Sequence, residues 1–180
     1  MKWVGRVGEL LAEEFLKENG YAVWRPDQFI KLLEMAALYR VVSGECKTEP
    51  KVPLRISIPT KSGYVSVVYW RGKCIDIDAV EATEIERSLY APCVKKCVEK
   101  TLGEFVKLAE TAETLLEHRR VLKSIDLFAY KDGVFFAVEV KTNSGKLSSI
   151  QREKTIVLRQ LKHLVVHVYL QNPLVEIEYL

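Results

Sequence analysis

Asp126, Glu139 and Lys141 have the residue types and spacing for phosphate chemistry. Asp126 lies in a run where Ile125, Leu127 and Ala129 alternate with Asp126, Phe128 and Tyr130, the period of a strand. After Lys131-Asp132-Gly133, the segment Val134 to Val140 is apolar and rich in β-branched and aromatic residues. Asp132-Gly133 is a strong hairpin signal, because both residues tolerate the positive φ angles of a tight turn. Side chains on a strand repeat with period two, so Glu139 and Lys141 leave the sheet on one face. Antiparallel pairing across the turn brings Asp126 close to both.

Two carboxylates and an ammonium then converge at a sheet end. Hard oxygen ligands of this kind suit Mg²⁺ or Mn²⁺, which take one or two carboxylates and leave room for water and a substrate phosphate. A lysine beside them can hold an attacking water or offset charge developing on a phosphate. The implied chemistry is metal-assisted phosphodiester hydrolysis. A surface hairpin carrying an ordinary Glu/Lys pair has the same local pattern.

The elements that must position these residues are legible on either side. Val4 to Asn19 reads as a helix, with Val4, Val7, Leu11, Phe15 and Leu16 at helical spacing and Asn19-Gly20 as its C-cap. Tyr21 to Trp24 reads as a short strand. Ser148 to Leu161 reads as a second helix with Ser148 or Ser149 as N-cap, and Leu164 to Leu170 as a buried strand.

Ile125-Asp126 followed by Glu139-Val140-Lys141 resembles the PD-(D/E)xK nuclease superfamily, although Ile125 stands where the namesake proline would be. The resemblance covers the first 27 residues and everything from Ser124 onward. It implies an α/β, restriction-endonuclease-like αβββαβ core (1–27 and 124–180) with a mixed central sheet. A large, mostly helical insertion with a short β-hairpin would follow the first core strand (28–123). The start Gly5-Arg6-Val7-Gly8-Glu9 is similar to the Gly-x-x-x-Glu opening of archaeal Holliday-junction resolvases, which gives Glu9 a place in the site, with Glu13 the weaker candidate. Leu147-Ser-Ser-Ile-Gln151-Arg152 is similar to virus-type replication-repair nuclease modules. Gln151 would then orient groups around the lysine, the water or the nucleic-acid backbone. The resemblance implies a Mg²⁺- or Mn²⁺-dependent deoxyribonuclease working in DNA repair or recombination. Asp126, Glu139, Glu9 and the Val140 carbonyl would be its metal ligands, Lys141 its water-positioning group, and a homodimer one assembly seen in such families. Pro26-Asp27, a literal match to the namesake pair, lies more than a hundred residues before Glu139 and lacks a partner strand, so it reads as a decoy or as a turn ending the first strand.

The chain has 180 residues, 48% of them hydrophobic, enough for a proper core. No apolar run approaches the roughly 18 residues needed to span a bilayer, and the N-terminus has no signal-peptide layout, so a cytoplasmic protein is expected. Net charge is only +3, yet Lys141, Lys146, Arg152, Lys154, Arg159 and Lys162 are opposed only by Glu153 over that stretch. Such a local excess suits a phosphate backbone. Arg6, Lys146, Arg152 and Lys154 are the candidate DNA contacts. Few Asn and Gln beside 28% charged residues are compatible with a thermophilic source.

The middle segment carries 16 basic and 13 acidic residues and all four cysteines, Cys46, Cys74, Cys93 and Cys97. Free buried thiols, disulfides, and a zinc or iron–sulfur site all fit these cysteines, free thiols best. Gln28 to Val42 reads as helical, Leu54 to Ile58 and Tyr64 to Trp70 as hairpin strands, and Ala82 to Leu122 as mostly helical with a break near Ala91-Pro92. The apolar stripe Phe105, Leu108, Ala109, Ala112, Leu115 and Leu116 reads as packing. Asp76 and Asp78 form a second, weaker carboxylate pair. His118, His163 and His167 read as core or strand-end residues. With no Gly-rich phosphate loop, nucleophile elbow or dinucleotide fingerprint, kinase, esterase and dehydrogenase readings are disfavoured. The rival from another class is a non-catalytic nucleic-acid-binding or assembly protein on the same fold.

Overall fold

The computed structural model describes residues 2–143, 157, 159–170 and 175–179. The chain is mixed α/β and divides into two compact units: unit 1 is Met1–Ile30 with His118–Leu180, and unit 2 is Lys31–Glu117. Each contains its own sheet.

Unit 1 begins with α1 (Lys2–Glu18), which stops in a Schellman turn. Gly20 sits at φ 80°. The Gly20 N–H donates to the Lys17 carbonyl at 3.0 Å and the Tyr21 N–H to the Leu16 carbonyl at 3.0 Å. The buried face of α1 keeps Leu16 from the expected apolar stripe but not Val7 or Leu11. Ala12 and Leu16 are fully buried and Gly8 lies with them, whereas Val7, Leu10 and Leu11 are 37%, 44% and 46% exposed. The cause is close approach: a Cβ added at Gly8 would collide with Thr142 Cγ2 and lie 3.8 Å from Val140 Cγ1. Small residues at i and i+4 therefore face the sheet.

Strands β1 (Ala22–Trp24), β6 (Leu127–Lys131), β7 (Val134–Thr142), β8 (Lys162–Val168) and β9 (Val175–Tyr179) form one sheet in the order β1-β6-β7-β8-β9. β1, β6 and β7 pair antiparallel, β8 runs parallel to β7, and β9 antiparallel to β8. The β6–β7 turn is the expected hairpin, with Asp132 and Gly133 at φ 51° and 83°. On the α1 side, Leu127, Ala129, Phe136, Val138, Leu164 and Val166 pack with Ala12 and Leu16. On the other side Phe29 stacks on Phe128, ring centroids 4.0 Å apart. Pro26 does not end a turn. It opens α2 (Pro26–Val41), where its missing N–H costs nothing, and Gln28 accepts from the Arg25 N–H at 2.9 Å. Of the second helix expected over Ser148 to Leu161, residues 148–156 and 158 lie outside the described residues; Val157 and Leu161 are buried.

Unit 2 holds a four-stranded sheet rather than a short hairpin. β2 (Leu54–Thr60) and β3 (Gly63–Trp70) are flanked by β4 (Lys73–Ile75) and β5 (Val80–Glu81) in the order β4-β3-β2-β5. β5 runs parallel to β2 and the other pairs are antiparallel. The two edge strands are three and two residues long, too short to announce themselves in a sequence. The helix α3 (Glu84–Leu102) starts at a capping box, Thr83 with Glu86, and runs straight through Pro92. The break falls instead at Gly103, whose φ of 52° suits glycine. A 3₁₀ segment (Gly103–Glu110) and α4 (Ala112–Glu117) follow, burying Leu108, Ala109, Ala112, Leu115 and Leu116 as packing residues.

The four cysteines are paired, not free. Cys93 and Cys97, one helical turn apart on α3, bond to Cys46 and Cys74. One helix face is thereby tied both to the segment after α2 and to β4. Among the described residues no helix is long and apolar enough to cross a membrane.

Candidate active site

Asp126 stands one residue before β6, and Leu127 pairs with Val138. Continuing that register puts Asp126 level with Glu139. Its Oδ2 accepts the Val140 N–H at 2.7 Å, so the carboxylate is fixed against β7 at the end of the ladder. In an extended strand a residue's N–H and C=O leave the same edge, so the Val140 carbonyl also emerges on the Asp126 side, beyond the last paired residue of β6.

Glu139 and Lys141 share a face, as the period of two requires. Lys141 Nζ donates to Glu139 Oε1 at 2.6 Å, with only 15% and 16% of the two side chains exposed. His163 Nε2 lies 3.7 Å from Glu139 Oε2. The parallel register sets His163 beside Ala137 and His167 beside Lys141, on the same face of β7 and β8. These histidines read as core or strand-end residues in sequence; His163 in fact adjoins the Glu139–Lys141 pair. A basis for seeing it was present, since four residues apart on a strand means the same face.

Glu9 arrives from α1. Its carboxyl is pushed above the ordinary range, first by burial and then by the negative charge of Asp126, while Arg25 and Arg6 pull it down. Glu9 and Asp126 line one cleft of about 220 Å³ with Glu13, Arg25, Pro26 and Lys123 to Leu127. Arg25 was not legible as a site residue. It follows β1 directly, and its Nε and Nη2 both reach Glu13 Oε2 at 3.1 Å. Glu13 is held below the ordinary carboxylate range, first by a hydrogen bond from Lys17 and also by Arg25, against the opposing effect of burial. Lys123, a second cation on the cleft, lies 3.8 Å from Asp27, which is exposed in the first turn of α2.

The structure thus gathers Glu9 and Asp126 in one cleft and sets Glu139 and Lys141 on the adjoining strand, joined to it through Val140. Glu139 and Lys141 are not among the residues lining the cleft. Arg6 is exposed on α1, about one turn before Glu9, and is not among the residues lining the cleft. Gln151, Lys146, Arg152 and Lys154 lie outside the described residues. Asp76 and Asp78 are exposed residues between β4 and β5, in unit 2 and apart from this set.

Among the described residues no three His, Cys, Asp or Glu side chains form a closed metal cage. An open site for a hard dication needs fewer protein donors, because Mg²⁺ keeps several waters and uses one or two carboxylates. Glu9 and Asp126 repel one another across the cleft, and a divalent cation between such carboxylates would relieve that repulsion. The donor set fits the group. No protein-family model, no curated protein and no solved structure matches the chain.

Proposed function

We propose that unit 1 is a restriction-endonuclease-like nuclease core that hydrolyses phosphodiester bonds in DNA with Mg²⁺ or Mn²⁺. The observation that carries this reading is the convergence of Glu9 and Asp126 on one cleft, with Asp126 locked to the Val140 amide beside the Glu139–Lys141 pair. The order of elements supports it: one helix, an antiparallel meander of β1, β6 and β7, then β8 parallel to β7.

Asp126, Glu9, Glu139 and the Val140 carbonyl would hold the cation, which when bound stabilises phosphate charge as a Lewis acid and makes a bound water more acidic. The chain's own groups do the rest. Lys141, held by Glu139, orients the attacking water by hydrogen bonding and offsets the charge that grows on the phosphate. Arg25, its guanidinium plane fixed by Glu13, and Lys123 supply cations for the flanking phosphates. Ile125 and Leu127, both buried, keep the cleft floor rigid so that Asp126 does not drift.

A cleavage assay on linear, circular, single-stranded and four-way-junction DNA, with and without Mg²⁺ or Mn²⁺, tests the reading. Wild-type protein should cut at least one substrate only when the metal is added, and Glu139→Gln should cut at least about 100-fold more slowly. Cutting that persists in excess chelator, or at the wild-type rate in Glu139→Gln, would remove the assignment.

A further inference from the structure

Unit 2 exposes part of one side of its sheet. α3 packs on the face formed by Leu54, Ile56, Val65, Val67 and Tyr69, all buried, and Cys74 on that face is bonded to Cys97 of the helix. The opposite face carries Arg55, Ser57, Tyr64 and Ser66, with Val68 buried opposite Arg55 and Trp70 half-buried, and the β2–β3 register sets Ser57 against Ser66. Their hydroxyls bond to each other at 2.8 Å, as befits a wet, polar surface. On that surface two aromatic residues stand at opposite ends of β3. Tyr64 is 72% exposed. Trp70 carries the Arg71 guanidinium 4.6 Å from its ring centroid. They lie six residue steps apart along the strand, about 20 Å.

The charges on this face favour an anion. Arg55, Arg71 and Lys73 are all exposed, while Glu81 is the acid on the neighbouring β5 and lies 3.7 Å from Arg55. Arg71 is also held at the tip of the β3–β4 turn with φ 47°, which presents its side chain beside the indole rather than along the strand. An exposed ring, Tyr64, and a half-buried indole capped by a guanidinium, with further cations between them, are the parts that bind single strands. Bases stack on rings and guanidinium planes while the cations follow the backbone. A duplex, with its bases already stacked, has no use for Tyr64.

We propose that this face of unit 2 is a docking platform for single-stranded nucleic acid, with Tyr64 and the Trp70–Arg71 pair as stacking positions and Arg55 and Lys73 as backbone contacts. The platform does not depend on the catalytic reading of unit 1, because binding is measured where no cleavage occurs.

The test is fluorescence anisotropy of a labelled poly-thymidine oligonucleotide and of the same length of duplex, in chelator, over a series of salt concentrations. The proteins are the wild type, Tyr64→Ala, and Arg55→Ala combined with Lys73→Ala; circular dichroism and thermal melting confirm that each is folded. Wild-type protein should prefer the single strand. Tyr64→Ala should weaken that binding by about 5- to 100-fold and leave the salt slope unchanged. The double variant should flatten the slope by about 1.4, two phosphate contacts at about 0.7 each. Equal binding by wild type and Tyr64→Ala would overturn the proposal. So would a wild type that ignores the single strand or prefers duplex. Sedimentation run alongside covers another occupant: if Tyr64→Ala changes self-association instead of oligonucleotide binding, the face belongs to a second copy of the chain and the platform is refuted.

Discussion

Unit 1 contains no cysteine and rests on a five-stranded sheet with α1 laid closely over it, whereas unit 2 contains all four and ties one helix to two other segments by disulfides. The difference follows from how much each can bury. In unit 1 apolar residues from β1, β6, β7, β8 and α1 form a continuous core, and strand ends are free to carry acids. Unit 2 has two edge strands of three and two residues, which cannot align a sheet under a helix by pairing alone. Cys93 and Cys97, both buried on one face of α3, fix that alignment covalently. A unit whose packing already fixes its strand ends can hold a site of repelling carboxylates; a unit that needs covalent ties spends its surface differently.

Removing the ties is the harshest way to break the comparison. The bridges span 47 and 23 residues, and loops of that size are each worth about 2–5 kcal/mol. Hydrogen exchange on reduced protein, or on the Cys74→Ser, Cys97→Ser variant, should show protection lost across α3 and β4 while amides of β6 and β7 keep theirs. Loss spread evenly over both units would erase the contrast.

The reverse experiment strikes unit 1. Gly8→Val should destabilise by about 1–3 kcal/mol, since the new side chain meets Thr142 at the end of β7. Gly5→Ala, one helical turn earlier with nothing within 4 Å of its Cβ, should be neutral or stabilising by up to about 1 kcal/mol. Chemical denaturation of the two variants reads the difference directly. Equal effects would mean that close approach of α1 is not what organises this unit.

A smaller effect sharpens the picture at the cleft. Glu13 has its pKa lowered in the folded state from the ordinary 4.5, mainly by Lys17 and with help from Arg25. A depressed carboxylate contributes stability above its unfolded pKa, and that contribution is lost as pH falls through its folded pKa. Wild type should therefore exceed Glu13→Gln by at most about 1 kcal/mol at pH 7, the partners being half-exposed. The gap should close as pH drops from 4.5 downward. A gap that widens in acid would reverse the sign of the argument.

Much of unit 1 was legible because its signals are local. The Asp132-Gly133 turn, the Asn19-Gly20 cap and the period-two placement of Glu139 and Lys141 each depend on a few neighbouring residues. The buried face of α1 was misread because side-chain hydropathy favours Val7 and Leu11, while close approach selects Gly8 and Ala12. Arg25 and Lys123 stayed hidden since their importance comes from the cleft, a product of chain segments a hundred residues apart. The disulfides escaped for the same reason: spacing in the sequence shows that Cys93 and Cys97 share a helix face, not which segments come to meet them. Pro92 suggested a break that a long helix absorbed, and the break lay at Gly103.

The most direct test of the central claim is the single-turnover rate of Mg²⁺-dependent DNA cleavage by wild type and Asp126→Asn. Asparagine keeps an oxygen to accept the Val140 N–H, so the fold and the melting temperature should hold while the anionic ligand is lost. The account predicts a fall of at least about 100-fold in rate with DNA binding retained. A folded Asp126→Asn that cuts at the wild-type rate would contradict it.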